Sequence, residues 1–194
     1  TFVPAVGFSG DALIDYARSD GDGDFPVGTL TVSVAAVNPD GLITPLTDGD
    51  PDTRSPKAVV DEDGLVGGVH GGVRDALTEH TVAEGVLGYD FGNDGPGGFR
   101  WHTDGLPILT SGGDPVSWRL SGNGRSLLGV DSGGGRVIAV QLVDVVTGRY
   151  KVTLDKPLDH VISGIEDDLS IEVGYTVTDG GGDVAAGRLD IVVD

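Results

Sequence analysis

The clearest pattern in the chain is an alternation of apolar and polar residues with a period of two. It runs through residues 171–177 and again through residues 150–154. Because successive side chains of a β-strand point to opposite faces of the sheet, this pattern predicts strands with one buried and one wet face. Similar segments predict further strands over residues 86–91, 116–120, 126–130 and 137–146.

Turn sequences rich in Gly, Asp and Asn separate these segments, and 34 glycines with ten prolines favour short strands joined by tight turns. Only residues 73–84 have a weak helical pattern, which Gly85 would end. Seven or so short strands at this spacing predict an all-β fold, a β-sandwich of Greek-key type.

A repeat is visible within the chain. Residues 12–34 align without gaps to residues 171–193, so that Tyr16 falls on Tyr175 and Leu30 on Leu189. Both copies predict a strand, an Asp/Gly turn and a second strand. A chance similarity between two Gly/Asp hairpins is the alternative; the tandem-array interpretation explains why the aromatic, the turn and the alternating positions all coincide.

The repeat predicts the domain organisation. Residues 56–194 would form a complete sandwich, and residues 1–55 would be the tail strands of a preceding repeat or a segment of a split domain. We therefore expect the chain to be a fragment of a longer one.

The net charge of the chain restricts the partners that it can bind. The formal net charge is −19, and 26 of the 31 acidic residues are aspartate. Such a surface repels nucleic acid and anionic membranes, and its self-repulsion costs stability unless counter-ions offset it. The chain has no Cys or Met, which excludes disulfides and thiolate metal sites. No membrane span or signal peptide is predicted.

Many of the aspartates stand in short Gly/Asp runs, and the cation that suits them is Ca²⁺. Calcium takes roughly six to eight oxygen ligands, which short carboxylates on a permissive backbone can supply. The candidate ligands are Asp20, Asp22, Asp24, Asp61, Asp63, Asp90, Asn93, Asp94, Asp167, Asp168, Asp179 and Asp183. The alternative is that these residues only form turns, since Asp and Gly are favoured there without any ion.

The spacing of Asp20, Asp22 and Asp24 resembles the start of an EF-hand loop. An EF-hand needs Gly at position six and Glu at position twelve, where this chain has Phe25 and Thr31. The sequence therefore predicts calcium bound in hairpin turns and at domain junctions, not in EF-hands.

No enzyme is predicted. The four histidines stand apart, and neither a nucleophile elbow nor a phosphate-binding loop occurs. Trp101 and Trp118 could form a sugar-stacking platform, although a Trp in a sandwich is more often part of the core or its rim.

Five segments carry a family resemblance: residues 61–65, 87–96, 109–113, 157–160 and 174–183. In this order they resemble the repeat domains of giant type I-secreted RTX adhesins of Gram-negative bacteria. In those proteins tandem Ig-like, cadherin-like sandwiches act as extenders. One departure is Gly181, where the first copy of the repeat has Asp22, so the last turn has one carboxylate fewer to offer to calcium.

The resemblance implies a secreted, monomeric domain at the bacterial cell surface, made rigid by Ca²⁺ and contacting the neighbouring repeats of its own chain. The larger protein would serve cell adhesion and biofilm formation. An alternative is that this domain itself binds a sugar, a peptide or ice through loops around Trp101, His102 and Asp104. A calcium-dependent hydrolase is a poorer third possibility, because it would need acidic residues clustered in one cleft.

Overall fold

The structure is a computed structural model that describes residues 1–5, 8–18, 27–35, 56–68, 80–91, 95–160 and 168–194. Within these ranges the secondary structure consists of strands joined by turns and loops, with no helix. The strands are β1 (Gly10–Ala17), β2 (Val27–Val34), β3 (Lys57–Val60), β4 (Val82–Val86), β5 (Pro96–Trp101), β6 (Leu109–Ser111), β7 (Asp114–Leu120), β8 (Ser126–Val130), β9 (Arg136–Asp144), β10 (Arg149–Leu154), β11 (Leu169–Asp179) and β12 (Val184–Val193).

Ten of these strands form two sheets. One has the order β3-β12-β11-β5, and the other has the order β4-β10-β9-β8-β7-β6. β3 pairs with β12 in parallel, and the other pairs are antiparallel. The chain passes from one sheet to the other four times: between β3 and β4, between β4 and β5, between β5 and β6, and between β10 and β11. These crossings give the Greek-key plan of an Ig-like sandwich, which confirms the predicted fold class.

The core lies between the two sheets and explains the period-two pattern. Alternate residues of β11 are buried, among them Ile171, Val173 and Tyr175, which are at most 1% exposed. The Tyr175 ring stacks on Phe99 with centroids 5.4 Å apart and meets Trp101 edge-on at 5.7 Å. Buried aliphatic residues of β9 and β10 belong to the same core.

Some predicted element boundaries are wrong. Residues 82–84, assigned a weak helical pattern, belong to strand β4, and residues 73–79 lie outside the described part of the chain. The strand predicted over residues 86–91 is wrong except at Val86, which is the last residue of β4. Residues 87–91 are not a strand, and Leu87 and Phe91 are buried as loop side chains. By contrast, the strand predicted over residues 126–130 is β8, confirmed to the residue.

β1 and β2 form a separate two-stranded antiparallel sheet. Their eight residue pairs begin with Gly10 opposite Val34 and end with Ala17 opposite Val27. The two strands predicted by the repeat are thereby confirmed, while the turn of residues 19–26 lies outside the described ranges. The part of the chain that the structure describes contains no helix able to span a membrane.

Candidate functional site

Candidate functional side chains lie at two ends of the sandwich. The first end carries residues 87–91 and Gly95 from the connection between β4 and β5, the turn of residues 144–148 and the turn between β11 and β12. The Gly180 amide donates a hydrogen bond to the Gly95 carbonyl over 2.9 Å, and the Tyr89 hydroxyl donates to the Val145 carbonyl over 2.7 Å. These bonds hold the three connections together.

Asp179 is the most unusual carboxylate at this end, because its residue is only 2% exposed. Its Oδ1 accepts a hydrogen bond from the Asp183 amide over 2.8 Å, and its own amide donates to the Asp183 carbonyl over 3.0 Å. Its Oδ2 is buried and has no hydrogen-bond partner. Burying a carboxylate oxygen without compensation is costly, so this atom is suited to a cation as its partner.

The other candidate ligands at this end are Asp183, which is half-buried, and Asp90, which is exposed on the neighbouring loop. The fold thus brings Asp90 to the same end of the sandwich as Asp179 and Asp183, which are far from it in sequence. This follows because β5 pairs with β11 and Pro96 lies opposite Asp179. Asn93 and Asp94 belong to that loop in sequence but lie outside the described residues.

The second end is formed by the segment after β3, the end of β12 and the loop after β10. The Glu62 amide donates to the Asp194 carbonyl over 2.9 Å, and the Asp194 amide donates to the Val60 carbonyl over 3.0 Å. Asp61 Oδ1 accepts from the Asp63 amide over 2.8 Å, so Asp61 does form the turn expected of an aspartate without an ion. Asp63 is 7% exposed.

The remaining candidate ligands are placed less informatively. Asp168 is exposed just before β11. Asp20, Asp22, Asp24 and Asp167 lie outside the described residues. Within the described ranges, no three His, Cys, Asp or Glu side chains are grouped closely enough to hold a metal ion by themselves. A calcium site here would therefore need backbone carbonyls and water to complete its ligands.

Sequence reasoning missed a buried acid–histidine pair at the second end. Glu62 is 1% exposed, and its Oε1 accepts from the Leu158 amide over 2.8 Å and lies 3.4 Å from His160 Nε2. Burial raises the pKa of Glu62, while the Leu158 amide and His160 act in the opposite direction. The two residues are 98 positions apart, and no local spacing pattern could have indicated their contact.

An open cleft of about 1020 Å³ lies beside this pair. Most of its charged lining is acidic, and the members are Glu62, Asp114, Asp131, Asp155, Lys156, Asp159 and His160. Asp159 accepts hydrogen bonds from the Gly112 and Gly113 amides at 2.9 and 2.8 Å, and these bonds hold its pKa below the usual range. Lys156 bonds to Asp131, so the cationic group of the lining is already paired.

The two tryptophans do not form a sugar platform. Trp101 is fully buried, and its Nε1 donates to the Arg125 carbonyl over 3.1 Å, so the stacking hypothesis is wrong for this residue. Trp118 is half-buried, with Nε1 donating to the Pro107 carbonyl. Both rings belong to the core or to its rim, because an indole in a two-layer sandwich buries a large apolar area and needs one acceptor.

Comparison with known proteins adds little to this description. No family model matches the chain, and no curated protein matches it. A solved structure of mouse clustered PcdhgC3 EC1-3 aligns with 95% of this chain and 42% of that chain, at 12% identity and a TM-score of 0.30. A likeness this weak carries no argument, and the fold assignment rests on the strand order given above.

Proposed function

We propose that this chain is a calcium-binding extender domain of a large, secreted bacterial surface adhesin of the RTX type. In this proposal residues 56–194 are one complete repeat, and residues 1–55 contribute strands to a neighbouring one. Calcium makes the repeats rigid, so that they project adhesive modules from the cell surface for attachment and biofilm formation. The sandwich plan, the sequence resemblance and the charge of −19 all support a structural role of this kind over catalysis.

The observation that carries the calcium part is the bare Oδ2 of Asp179. A carboxylate oxygen that is buried and lacks a donor suits a hard cation, and Asp183, loop carbonyls and water at the same end can supply further oxygens. A bound Ca²⁺ would supply positive charge to this end of the sandwich. The chain's own turn holds Asp179 in place through its two hydrogen bonds with Asp183.

Thermal unfolding with millimolar calcium and with excess chelator tests the proposal. An ion that binds only the folded state at a hundredfold excess over its Kd adds about 2.7 kcal/mol, which is worth roughly 5–10 °C in a domain of this size. We expect Asp179→Asn to lose most of this rise, because the neutral amide is a weaker ligand.

The matched control is Asp104→Asn, which removes the same charge at an exposed turn position. It should keep the full response to calcium. An equal Tm in calcium and chelator for the unsubstituted chain would contradict the calcium proposal, and an equal loss in both variants would show a charge effect without a site.

A second candidate function is direct ligand binding by the acidic cleft. Its volume suits a small ligand, and the excess of carboxylates over basic groups in its lining favours a cationic one. The loop around Trp101 is no longer the place to expect binding, because that ring is buried. A screen of amine-containing sugars and basic peptides against the chain and against Asp114→Asn tests this candidate; saturable binding that the substitution weakens would support it.

A further inference from the structure

The hairpin of β1 and β2 has the same pairing as the hairpin of β11 and β12. Adding 159 to each number in the eight β1–β2 pairs gives an observed β11–β12 pair, from Gly10 opposite Val34 to Ala17 opposite Val27. Register decides which side chains share a face, since a slip of one residue exchanges the two faces. The two hairpins therefore present corresponding residues on corresponding faces.

One face of the β1–β2 hairpin is apolar, and its members are Ala12, Ile14, Tyr16, Leu30, Val32 and Val34. Their counterparts on β11–β12 are Ile171, Val173, Tyr175, Leu189, Ile191 and Val193, all of which are at most 1% exposed. In the first hairpin, by contrast, Tyr16 is 56% exposed, Leu30 52% and Ile14 37%. The same kind of face is thus covered in one hairpin and open in the other.

The opposite face of β1–β2 is mostly polar and faces solvent. The Thr29 hydroxyl donates to Asp15 over 2.7 Å, and the Ser33 hydroxyl donates to Asp11, both across the two strands. Leu13 lies on this polar face and is 69% exposed, at the position where β11 has Glu172. The hairpin is therefore one-sided, as a strand pair of a sandwich is.

We infer that the apolar face of β1–β2 docks onto a further repeat unit. The surface that it contacts there is the inner face of the sheet that corresponds to β4-β10-β9 in this chain. The argument for this occupant is the interface that β11–β12 already makes within the chain. There, the equivalent face packs in one core with Tyr150, Val152 and Leu154 of β10 and with residues of β9. An isolated two-stranded hairpin is marginal in water, so covering this face stabilises it. The inference rests on the tandem-repeat part of the proposed function and is independent of calcium.

An extended chain tests the inference in chelator, so that a failure of the calcium proposal does not affect the result. Residues 56–168 of this sequence are placed directly before residue 10, which gives the added unit every strand except its last hairpin. Hydrogen exchange of the β1 and β2 amides should slow by at least about 100-fold relative to the 194-residue chain, because global rather than local opening then limits exchange. Unchanged exchange rates would overturn the inference.

Two neighbouring residues provide the matched controls. Ile14→Asp places a charge on the apolar face and should abolish the protection, whereas Leu13→Asp places the same charge on the polar face and should preserve it. Equal effects of the two substitutions would count against docking through this face. A 194-residue chain that dimerises in light scattering, and becomes monomeric with Ile14→Asp, would identify a second copy as the occupant and also overturn the inference.

A replacement within the 194-residue chain provides an independent measurement. In this variant the segment 169–193 is replaced by a copy of residues 10–34, which has the same length. The product should retain cooperative thermal unfolding. A control exchange with residues 11–35 shifts the register by one and should not. An in-register exchange that fails to fold would mean that the two hairpins are not equivalent.

Discussion

Among single side chains, the Tyr175 hydroxyl is a second buried polar group without a hydrogen-bond partner. Tyr175 is fully buried, and burial raises its pKa, so the hydroxyl is neutral at any physiological pH. Leaving a buried hydroxyl unsatisfied costs about 1–3 kcal/mol. We therefore expect Tyr175→Phe to be as stable as the unsubstituted chain or more stable, as measured by chemical denaturation.

Tyr89→Phe is the control for this prediction. Its hydroxyl donates to the Val145 carbonyl over 2.7 Å, so removing it should destabilise the protein by about 1 kcal/mol. If Tyr175→Phe destabilised the fold by as much as Tyr89→Phe, the Tyr175 hydroxyl would have to be satisfied in solution.

Asp159 gives a prediction about pH. Hydrogen bonds from the Gly113 and Gly112 amides favour its charged form and hold its pKa below the usual value. A depressed pKa in the folded state means that the stabilisation is present above the unfolded pKa of about 3.9 and is lost as the pH falls through the folded value. Asp159→Asn should therefore be less stable than the unsubstituted chain at neutral pH, by up to about 1 kcal/mol.

The difference in stability between the unsubstituted chain and Asp159→Asn should shrink as the pH falls below about 4, where the aspartate of the unfolded chain is protonated, and on through its lower pKa in the folded state. Denaturation midpoints measured between neutral and acidic pH check this. A difference that stayed constant across that range would show that the two amides do not stabilise the carboxylate in particular.

Among the connections between strands, the turn from β9 to β10 depends on Gly148. This glycine has φ +71°, and a Cβ at its position would lie 2.5 Å from the Leu87 carbonyl oxygen. The Leu87 amide donates to the Gly148 carbonyl over 2.9 Å, so the turn and the backbone at Leu87 are held at close approach. Gly148→Ala should cost about 3 kcal/mol, since backbone atoms must move apart.

Gly134→Ala is the control, because it has the same kind of backbone strain as Gly148→Ala without the steric clash. Gly134 has φ +81° but nothing within 4 Å of the added Cβ, so Gly134→Ala should cost only about 1–2 kcal/mol. Equal costs for the two substitutions in thermal unfolding would show that close approach at Gly148 contributes nothing.

The strands differ in how well sequence could predict them. β10 and β11 alternate clearly because each has one face in the core and one in water. β5 begins with Pro96, Gly97 and Gly98, which is a turn composition, and it becomes a strand because it pairs with β11. β3 has only four residues and depends on its parallel partner β12. Long-range pairing of this kind leaves no local pattern.

The candidate site was predictable only in part, for a similar reason. The Gly/Asp runs drew attention to Asp179 and Asp63, two of the four buried acidic residues that the structure describes. They gave no sign that Asp179 would be buried or that Glu62 would meet His160, because tertiary packing sets both properties. Asp61 illustrates the opposite case, since its turn-forming hydrogen bond is the local role that its sequence already favours.

For the chain as a whole, the charge of −19 opposes folding, and two kinds of counter-ion effect can be distinguished. Diffuse screening depends on ionic strength: the Debye length falls from about 30 Å at 0.01 M salt to about 8 Å at 0.15 M. In the presence of chelator, sodium chloride should therefore raise the Tm gradually over this range, because it weakens the self-repulsion of the compact state.

A calcium site behaves differently. Millimolar calcium adds only a few millimolar to the ionic strength, so screening alone would give it almost no effect against a background of 0.15 M sodium chloride. Binding at Asp179 would persist there, since a buried pair of charges is screened much less than exposed ones. A calcium-induced rise in Tm that survives 0.15 M salt, and that Asp179→Asn removes, is the result expected of a bound ion. A rise that disappears in salt would assign the whole effect to the diffuse charge of the surface.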